Sequence, residues 1–314
     1  MLNFDSLRPT IMVVTATFEG TIDVDSVFPL LEITRLPHET ETIGKKRKMP
    51  LCTIPGAILS ARYREVCRGI VRLSFFRNNI IVDMSNGVKN VSIKLSSRGM
   101  HICGANSLQA AKEASEMLLQ QVLYIQWIVD WLNEDSERKE AVFDFLLEST
   151  KGPVVLEQGS LKRLTRIPDM QHDNVVLSYL LGLAREYPYY DDLVTQLQWI
   201  KGLDKITDGV KLDSYTTVMV NYNYELGYEI NRFALRTHID GVNGFSARYE
   251  NEVEHSVTIT LPYSDKKAHT FIVYRTGRVT QSGPDIDRIR QAYDLFATMI
   301  EQIRPYIVKK ASNT

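Results

Sequence analysis

Two stretches of this sequence repeat one order of parts, and a chain that repeats itself has few folds open to it. Residues 271–296 read FIVYRTGRVTQSGPDIDRIRQAYDLF, and residues 91–118 read VSIKLSSRGMHICGANSLQAAKEASEML. FIVY and VSIKL read as strands, RTG and SSRG as turns, and RVTQSG and MHICG as second strands ending at Gly283 and Gly104. This alignment sets Tyr274 against Leu95. A helix follows in each. The later one carries Ile286, Ile289, Tyr293, Phe296, Ile300 and Ile303, whose alternating three-four spacing makes one apolar stripe. Pro284 falls where a first helical turn tolerates it, and Asp285 and Asp287 suit the positive end of the helix dipole. The earlier helix carries Leu108, Ala111, Leu118 and Val122, with Asn106 or Ser107 as N-cap.

A second match lies upstream. FEGTIDVDSVF (18–28) resembles YELGYEINRFA (224–234), each a strand that turns at glycine into a short helix. Two collinear matches predict a duplication, with one copy over about 9–122 and the other over about 215–305. The first copy is longer, and the excess falls in residues 35–72. The resulting domains are 1–122, a helical insert 123–211, and 212–314. Strands predominate in each copy and a long helix comes last, which predicts an α+β fold with helices on one face of an antiparallel sheet. The insert reads as helices at WIVDWL, AVFDFLLE, NVVLSYLLGLARE and DDLVTQLQWIKGL, separated by Gly-Pro and Pro breaks.

Composition narrows the function. The net charge of −1 hides an insert at −5 and a remainder at +4, so the repeats are mildly basic. Cys52, Cys67 and Cys103 are scattered with no CxxC pair, which fits a reducing intracellular compartment and neither a disulfide framework nor a zinc site. The opening MLNFDSLRPT lacks the pattern of a signal peptide, and no apolar run approaches the ~18 residues of a membrane span. HExxH, GxSxG, a P-loop and a strand-linked GxGxxG are absent, and the six histidines are dispersed. The expectation is a protein that is not an enzyme and needs no cofactor, metal or small-molecule substrate.

At this point the sequence resembles a known family. SSRGMHICGANS (96–107), RTGRVTQSGPD (275–285) and NYNYELGYEINRFAL (221–235) are similar to the repeat pattern of the TATA-box-binding protein (TBP) fold. The resemblance covers about two thirds of the chain and leaves the insert outside. It is greatest to the TBP-like proteins of large DNA viruses. It implies two repeats forming a curved antiparallel sheet, a saddle with helices on its convex face. It also implies transcription initiation by binding AT-rich duplex DNA in the minor groove and recruiting RNA polymerase or a general transcription factor. The implied location is the nucleus, or a viral factory in the cytoplasm of an infected cell.

Alternation along the strands then selects residues. Tyr274, Thr276, Arg278, Thr280 and Ser282 fall on one face, and Val273, Val279 and Gln281 on the other. In the first copy the equivalent face is Leu95, Ser97, Gly99, His101 and Cys103. The resemblance makes this the DNA-binding face: Leu95, Ser97, His101, Asn221, Asn223, Tyr274, Thr276, Arg278, Thr280 and Ser282. Hydroxyls and amides suit a groove lined mainly by acceptors, and apolar wedges that unstack base steps bend the duplex. Tyr274 and Leu95 stand at one wedge position of each repeat. The other wedge falls near RLSFFRNN, at Phe75 or Phe76, and near SARYENEVEH, where Glu250, Glu252 and Glu254 would repel phosphate. The first copy has Thr10, Thr15 and Thr17 where the second has its asparagines. Lys45, Lys46, Arg47 and Lys48 are candidate phosphate contacts or a solvated loop. Trp127 and Trp131, one helical turn apart, read as core. The alternative function is a TBP-fold scaffold without DNA binding, which uses the sheet and the insert for protein contacts in a polymerase assembly or a virion.

Overall fold

A computed structural model describes residues 3–34, 51–70, 77–149, 170–184, 190–249, 255–264 and 266–309. The architecture is α+β, with a large open antiparallel sheet and helices. The chain divides into two compact units. The central unit holds residues 17–100 and 114–213, and the terminal unit holds residues 1–16, 101–113 and 214–314. The strands β1 (Pro9–Ile22), β6 (Gly99–Ala105) and β7 (Thr207–Glu225) pass from one unit into the other.

In the central unit β1 leads into a short helix, α1 (Val24–Val27), capped by the Asp23 carboxylate, which accepts from Asp25 N at 3.0 Å and Ser26 N at 3.4 Å. The strands β2 (Ile58–Tyr63), β3 (Val66–Gly69), β4 (Ile80–Ser85) and β5 (Asn90–Ser96) follow. Their hydrogen-bonded order is β3-β2-β4-β5-β6. The β2–β3 turn places Arg64 at φ 45° and Glu65 at φ 76°. Left-handed backbone at both positions matches strand twist in a two-residue hairpin but disfavours residues with a Cβ. Here Asp25 holds the Arg64 guanidinium at 3.0 Å.

The long helix α2 (Leu108–Asn133) starts where Ser107 Oγ accepts from Ala110 N at 3.1 Å, so Ser107 is its N-cap. Ala111, Ala114, Leu118, Val122, Ile125, Val129 and Leu132 form its buried stripe. The helix continues through residue 122 to Asn133 without a break. Trp131 is buried, but Trp127 is 39% exposed and stacks on Tyr124, which corrects its assignment to the core. Helix α3 (Ser136–Ser149) packs against α4 (Met170–Ala184) and α5 (Tyr190–Lys201), and its Val142, Phe143 and Leu146 are buried. Gln126 Oε1 accepts from both Ile206 N and Thr207 N at 2.7 Å, which ties the start of β7 to α2.

In the terminal unit β7 leads into α6 (Arg232–Ile239), capped by Asn231, then β8 (Ser246–Arg248), β9 (Ser256–Ser264), β10 (Lys267–Tyr274), β11 (Arg278–Gly283) and α7 (Ile286–Ile307). The order is β7-β11-β10-β9-β8, with every adjacent pair antiparallel. Gly277 makes the β10–β11 turn at φ 83°, and a Cβ there would meet Tyr228 O at 2.3 Å. Asp285 caps α7, so Pro284 precedes the cap instead of standing in the first turn. Ile286 is 46% exposed and leaves the predicted stripe, which Ala292, Met299 and Ile307 join instead.

The core of this unit lies between α7 and one face of the sheet. Phe271 and Phe296 stack at 4.3 Å between ring centroids, and Phe245 meets both edge-on. Burying each of these rings contributes about 1.5–3 kcal/mol. One polar chain crosses the core: the Tyr224 hydroxyl donates to Gln281 Oε1 at 3.1 Å, and Gln281 Nε2 donates to Ile289 O at 2.8 Å. Burial pushes the Tyr224 phenol well above its ordinary range, so it stays protonated and able to donate. Phe4 adds its ring to Tyr222 and Tyr293 at 4.9 and 5.3 Å.

Candidate nucleic-acid interface

The face of the terminal unit's sheet opposite this core is polar, and its residues stand in register. Antiparallel partners point to the same side. One row therefore runs Ser246, Thr260, Thr270, Ser282, Asn221 across β8, β9, β10, β11 and β7. The next runs Arg248, Thr258, Ile272, Thr280, Asn223. Beyond it Ser256 lies opposite Tyr274, and Arg278 opposite Glu225. These side chains are exposed or half-buried, while Val257, Ile259, Phe271, Val273, Val279 and Gln281 between them are buried. Period-two alternation of Ser and Thr with Val, Ile and Phe produces both faces at once.

Local hydrogen bonds hold the surface. Ser246 Oγ and Thr260 Oγ1 are 2.6 Å apart, and Thr280 Oγ1 donates to Asn223 Oδ1 at 2.8 Å. Thr10 Oγ1 donates to the Asn221 carbonyl at 3.1 Å. Tyr274, 38% exposed, is the aromatic side chain of this face, and Ile272 is the aliphatic one near its centre. Arg248 and Arg278 supply positive charge, and Glu225 beside Arg278 supplies negative charge. The surface is thus a sheet of hydroxyl and amide groups with little net charge. It can donate and accept along a long polar ligand without demanding one arrangement of partners.

Tyr274, Arg278, Thr280 and Ser282 share this face, as the alternation predicts, and Asn221 and Asn223 lie beside Ser282 and Thr280 on it. Thr276 does not share it: it stands in the β10–β11 turn, outside the strands. His101 lies half-buried on β6, with Nδ1 3.4 Å from Cys103 Sγ. Ser97 is exposed in the β5–β6 turn, not on a strand face. Leu95 is corrected outright. It is fully buried, paired with Ile80 on the apolar side of β5 together with Val91 and Ile93. The β5–β6 turn is Ser97-Arg98, whereas the β10–β11 turn is Arg275-Thr276-Gly277, one residue longer. Alignment across turns of unequal length slips the register by one, and a slip of one moves a side chain to the opposite face. Ser96, half-buried, is the residue of β5 that holds the place of Tyr274. Lys45, Lys46, Arg47, Lys48, Phe75, Phe76, Glu250, Glu252 and Glu254 lie outside the described residues.

Sequence reasoning missed Ser246, Arg248, Ser256, Thr258, Thr260, Thr270 and Ile272. The signal was available in SVTIT, where hydroxyl and aliphatic residues alternate strictly.

The central unit has a polar sheet face of similar composition in a different state. Ser60, Arg62, Ile81, Asp83 and Ser85 share one side of β2 and β4, and Ser92 and Lys94 continue it on β5. Ser60 and Ser85 are 0% exposed, Arg62 2% and Asp83 4%. Arg62 Nη2 contacts Asp83 Oδ2 at 2.7 Å, and Ser60 Oγ donates to the same oxygen at 2.9 Å. Ser85 Oγ donates to the Cys52 carbonyl. On β2 and β4 this polar face is closed, whereas Asn90, Ser92, Lys94 and Ser96 on β5 are half-buried.

Among the described residues no group of three His, Cys, Asp or Glu side chains is arranged to hold a metal, and no helix is long and apolar enough to cross a membrane. No protein-family model matches the chain, and no curated protein matches it by sequence. Among solved structures, the TBP of Methanococcus jannaschii is similar to it at 11% sequence identity, over 95% of this chain and 98% of that chain, with a TM-score of 0.41.

Proposed function

We propose that this chain is a TBP-like DNA-binding protein of transcription initiation, and that the open polar face of the terminal unit is its duplex-binding surface. The carrying observation is the in-register array of serines, threonines and asparagines across five antiparallel strands, backed by a helix-covered core. Order of elements supports the family reading. β1, α1, β2 to β6 and α2 in one part of the chain match β7, α6, β8 to β11 and α7 in the other, with β3 as an added strand. On this reading the two parts are repeats, α3 to α5 belong to an added docking platform, and the site of action is the nucleus or a viral factory.

The chemistry fits an AT-rich minor groove, which presents acceptors to hydroxyl and amide donors. Tyr274 and Ile272 are the side chains able to press on a base step. Arg278 and Arg248 reach phosphate, which positions the protein without reading sequence. The reading contains no catalytic step.

The test is a titration of labelled AT-rich and GC-rich duplexes at low and moderate salt, with end-to-end energy transfer to report bending. The expected result is tighter binding to the AT-rich duplex with a salt-dependent affinity. Arg278→Ala should lower the salt slope by about 1 on every sequence alike. Tyr274→Ala should reduce the bend while leaving that slope in place. Absence of binding to either duplex at low salt sinks the proposal.

One observation favours a second reading, a protein-binding scaffold. Glu225 stands exposed on the same face directly across from Arg278, where it opposes a phosphate backbone. On that reading Glu225→Gln leaves the chain without DNA affinity, whereas on the first it tightens DNA binding.

A further inference from the structure

We infer that the cleft between α7 and the β9–β10 hairpin is an anchor pocket for a partner protein, seating one bulky apolar side chain with a carboxylate beside it on Arg288. The inference goes beyond duplex binding and does not depend on it. The cleft lies on the side of the sheet opposite the polar face. Leu261 and His269 are register partners, and they continue the side of Ile259 and Phe271, two residues along each strand. A cavity of about 440 Å³ opens there, within the range of roughly 300–1,000 Å³ usual for ligand sites. Arg288, Gln291, Ala292 and Leu295 recur at three- and four-residue spacing, which sets them on one face of α7 as the helix wall. Leu261, Pro262 and Tyr263 form the strand wall. His269, 3% exposed, closes the floor, and its Nδ1 has no hydrogen-bond partner among the described residues. Gly283 makes room for that ring, since a Cβ there would lie 2.6 Å from Nδ1. Burial holds the imidazole uncharged at neutral pH, so the floor suits an apolar guest.

Polarity is split along the cleft. Leu295, 55% exposed, and half-buried Leu261 leave apolar surface facing solvent. Arg288 stands seven residues back along the helix, about 10 Å away. Its guanidinium lies over the Tyr263 ring at 5.7 Å, and that ring lies 4.8 Å from the His269 ring. Asp285 faces Arg288 Nε at 3.5 Å, and the Nη edge is the one suited to a carboxylate held by two parallel bonds. Lys266 and Lys267 are exposed at the hairpin turn, and Asp285 and Asp287 open α7. Cations thus outnumber carboxylates at this end of the cleft among the described residues, which favours an acidic guest. Exposure decides between classes of guest. Pro262, Arg288, Gln291 and Leu295 are all exposed, so the cleft covers one end of a guest and leaves the rest in solvent. Small-molecule sites bury about 70–90% of their ligand. A protein segment needs only its anchor covered, because its flanking chain makes further contacts around the pocket.

The experiment uses the full chain and fluorescein-labelled, terminally blocked peptides that carry Asp-Phe-Asp between Gly-Ser repeats, with anisotropy as the readout. Saturable binding is expected. A matched Asp-Gly-Asp peptide should bind about tenfold more weakly or worse, and an Asn-Phe-Asn peptide about threefold more weakly. Arg288→Gln should abolish the preference for Asp over Asn while leaving the Asn-Phe-Asn affinity within about twofold. Leu295→Gln, at an exposed position, should weaken both Phe-bearing peptides by about fivefold. Failure of the Asp-Phe-Asp peptide to saturate at low salt overturns the inference, as does equal affinity for the three peptides. Equal loss of both Phe-bearing peptides in Arg288→Gln also overturns it, because a merely structural effect acts on both alike. Competition by N-acetylphenylalanine as strong, mole for mole, as that of unlabelled peptide makes the cleft a small-molecule site and overturns the protein partner. An AT-rich duplex should leave the peptide bound, and displacement overturns the placement of the guest behind the sheet. The duplex titration above can fail while every one of these results stands, so the two readings are tested apart.

Discussion

Two sheet faces of this molecule are written in nearly the same alphabet and do opposite things. On β2 and β4, Ser60, Arg62, Asp83 and Ser85 are closed off and satisfy one another or nearby backbone. On β9 to β11, Ser256, Thr258, Thr260, Thr270, Thr280 and Ser282 are half-buried. Polar alternation along a strand thus specifies that a face is hydrophilic, but not whether its partner is a ligand or the protein itself. The difference lies in the charges. A serine or threonine is satisfied equally by solvent, ligand or protein, whereas an arginine and an aspartate removed from water must find each other.

The comparison can be broken at its charges first. Asp83→Ala leaves the Arg62 guanidinium buried without this partner and should cost about 3–5 kcal/mol, read as a fall in the denaturant midpoint. Glu225→Ala, the same truncation on the open face, should stay within about 0.5 kcal/mol. Equal losses would erase the distinction between the faces. The double variant Arg62→Met with Asp83→Leu should recover most of the loss, because a well-packed apolar pair replaces the ion pair.

The turns give the next effect. Gly277→Ala forces a Cβ against Tyr228 O at a backbone conformation that L-residues disfavour, and should cost about 1–3 kcal/mol. The equivalent β5–β6 turn has no such glycine, so Arg98→Ala there should be close to neutral. Thermal unfolding of the two variants side by side checks the contrast.

The units should also differ in their response to acid. His269 is 3% exposed, and burial lowers its pKa below the ordinary 6.5. The unfolded chain then binds the proton more readily than the folded one, so stability falls as pH drops below about 6.5 toward the folded pKa. His269→Gln should flatten this dependence between pH 7.5 and 5.5, measured as the difference in denaturant midpoint. A wild-type midpoint that rises on acidification over the same range would refute it. Smallest of all should be Thr258→Val and Thr260→Val. Each is expected to change stability by less than about 0.5 kcal/mol while weakening DNA binding, a separation that Ser60→Val on the closed face should not show.

Much of the terminal unit was legible because strict alternation along 278–283 has one physical meaning on a sheet backed by a helix. Arg278, Thr280 and Ser282 fell on the face assigned to them, and Val279 and Gln281 on the other. Leu95 did not, because pattern matching does not count turn residues and the two hairpins differ by one. Pro284 and Ile286 moved because the capping side chain is Asp285, which starts the helix two residues later than a turn led by Pro284 would. Trp127 shows the limit of spacing arguments. It shares a helical stripe with Trp131, yet what covers a helix face depends on distant segments. The same reason hid the closure of the central face. Nothing in ILSARY or IIVDMS states that both sides of these strands are buried; only the contacts made by the rest of the chain decide it.

The Gln281 side chain has a use as a reporter. Residue 281 sits between Thr280 and Ser282, which belong to the open face, and holds the first turn of α7 from the opposite side by bonding Ile289 O. Fraying of that turn requires breaking this bond and leaving Tyr224 without its acceptor. Deuterium uptake at the amides from about residue 289 onward therefore measures the integrity of β11 from behind. A ligand that stiffens the strand should slow exchange in a helix it never touches.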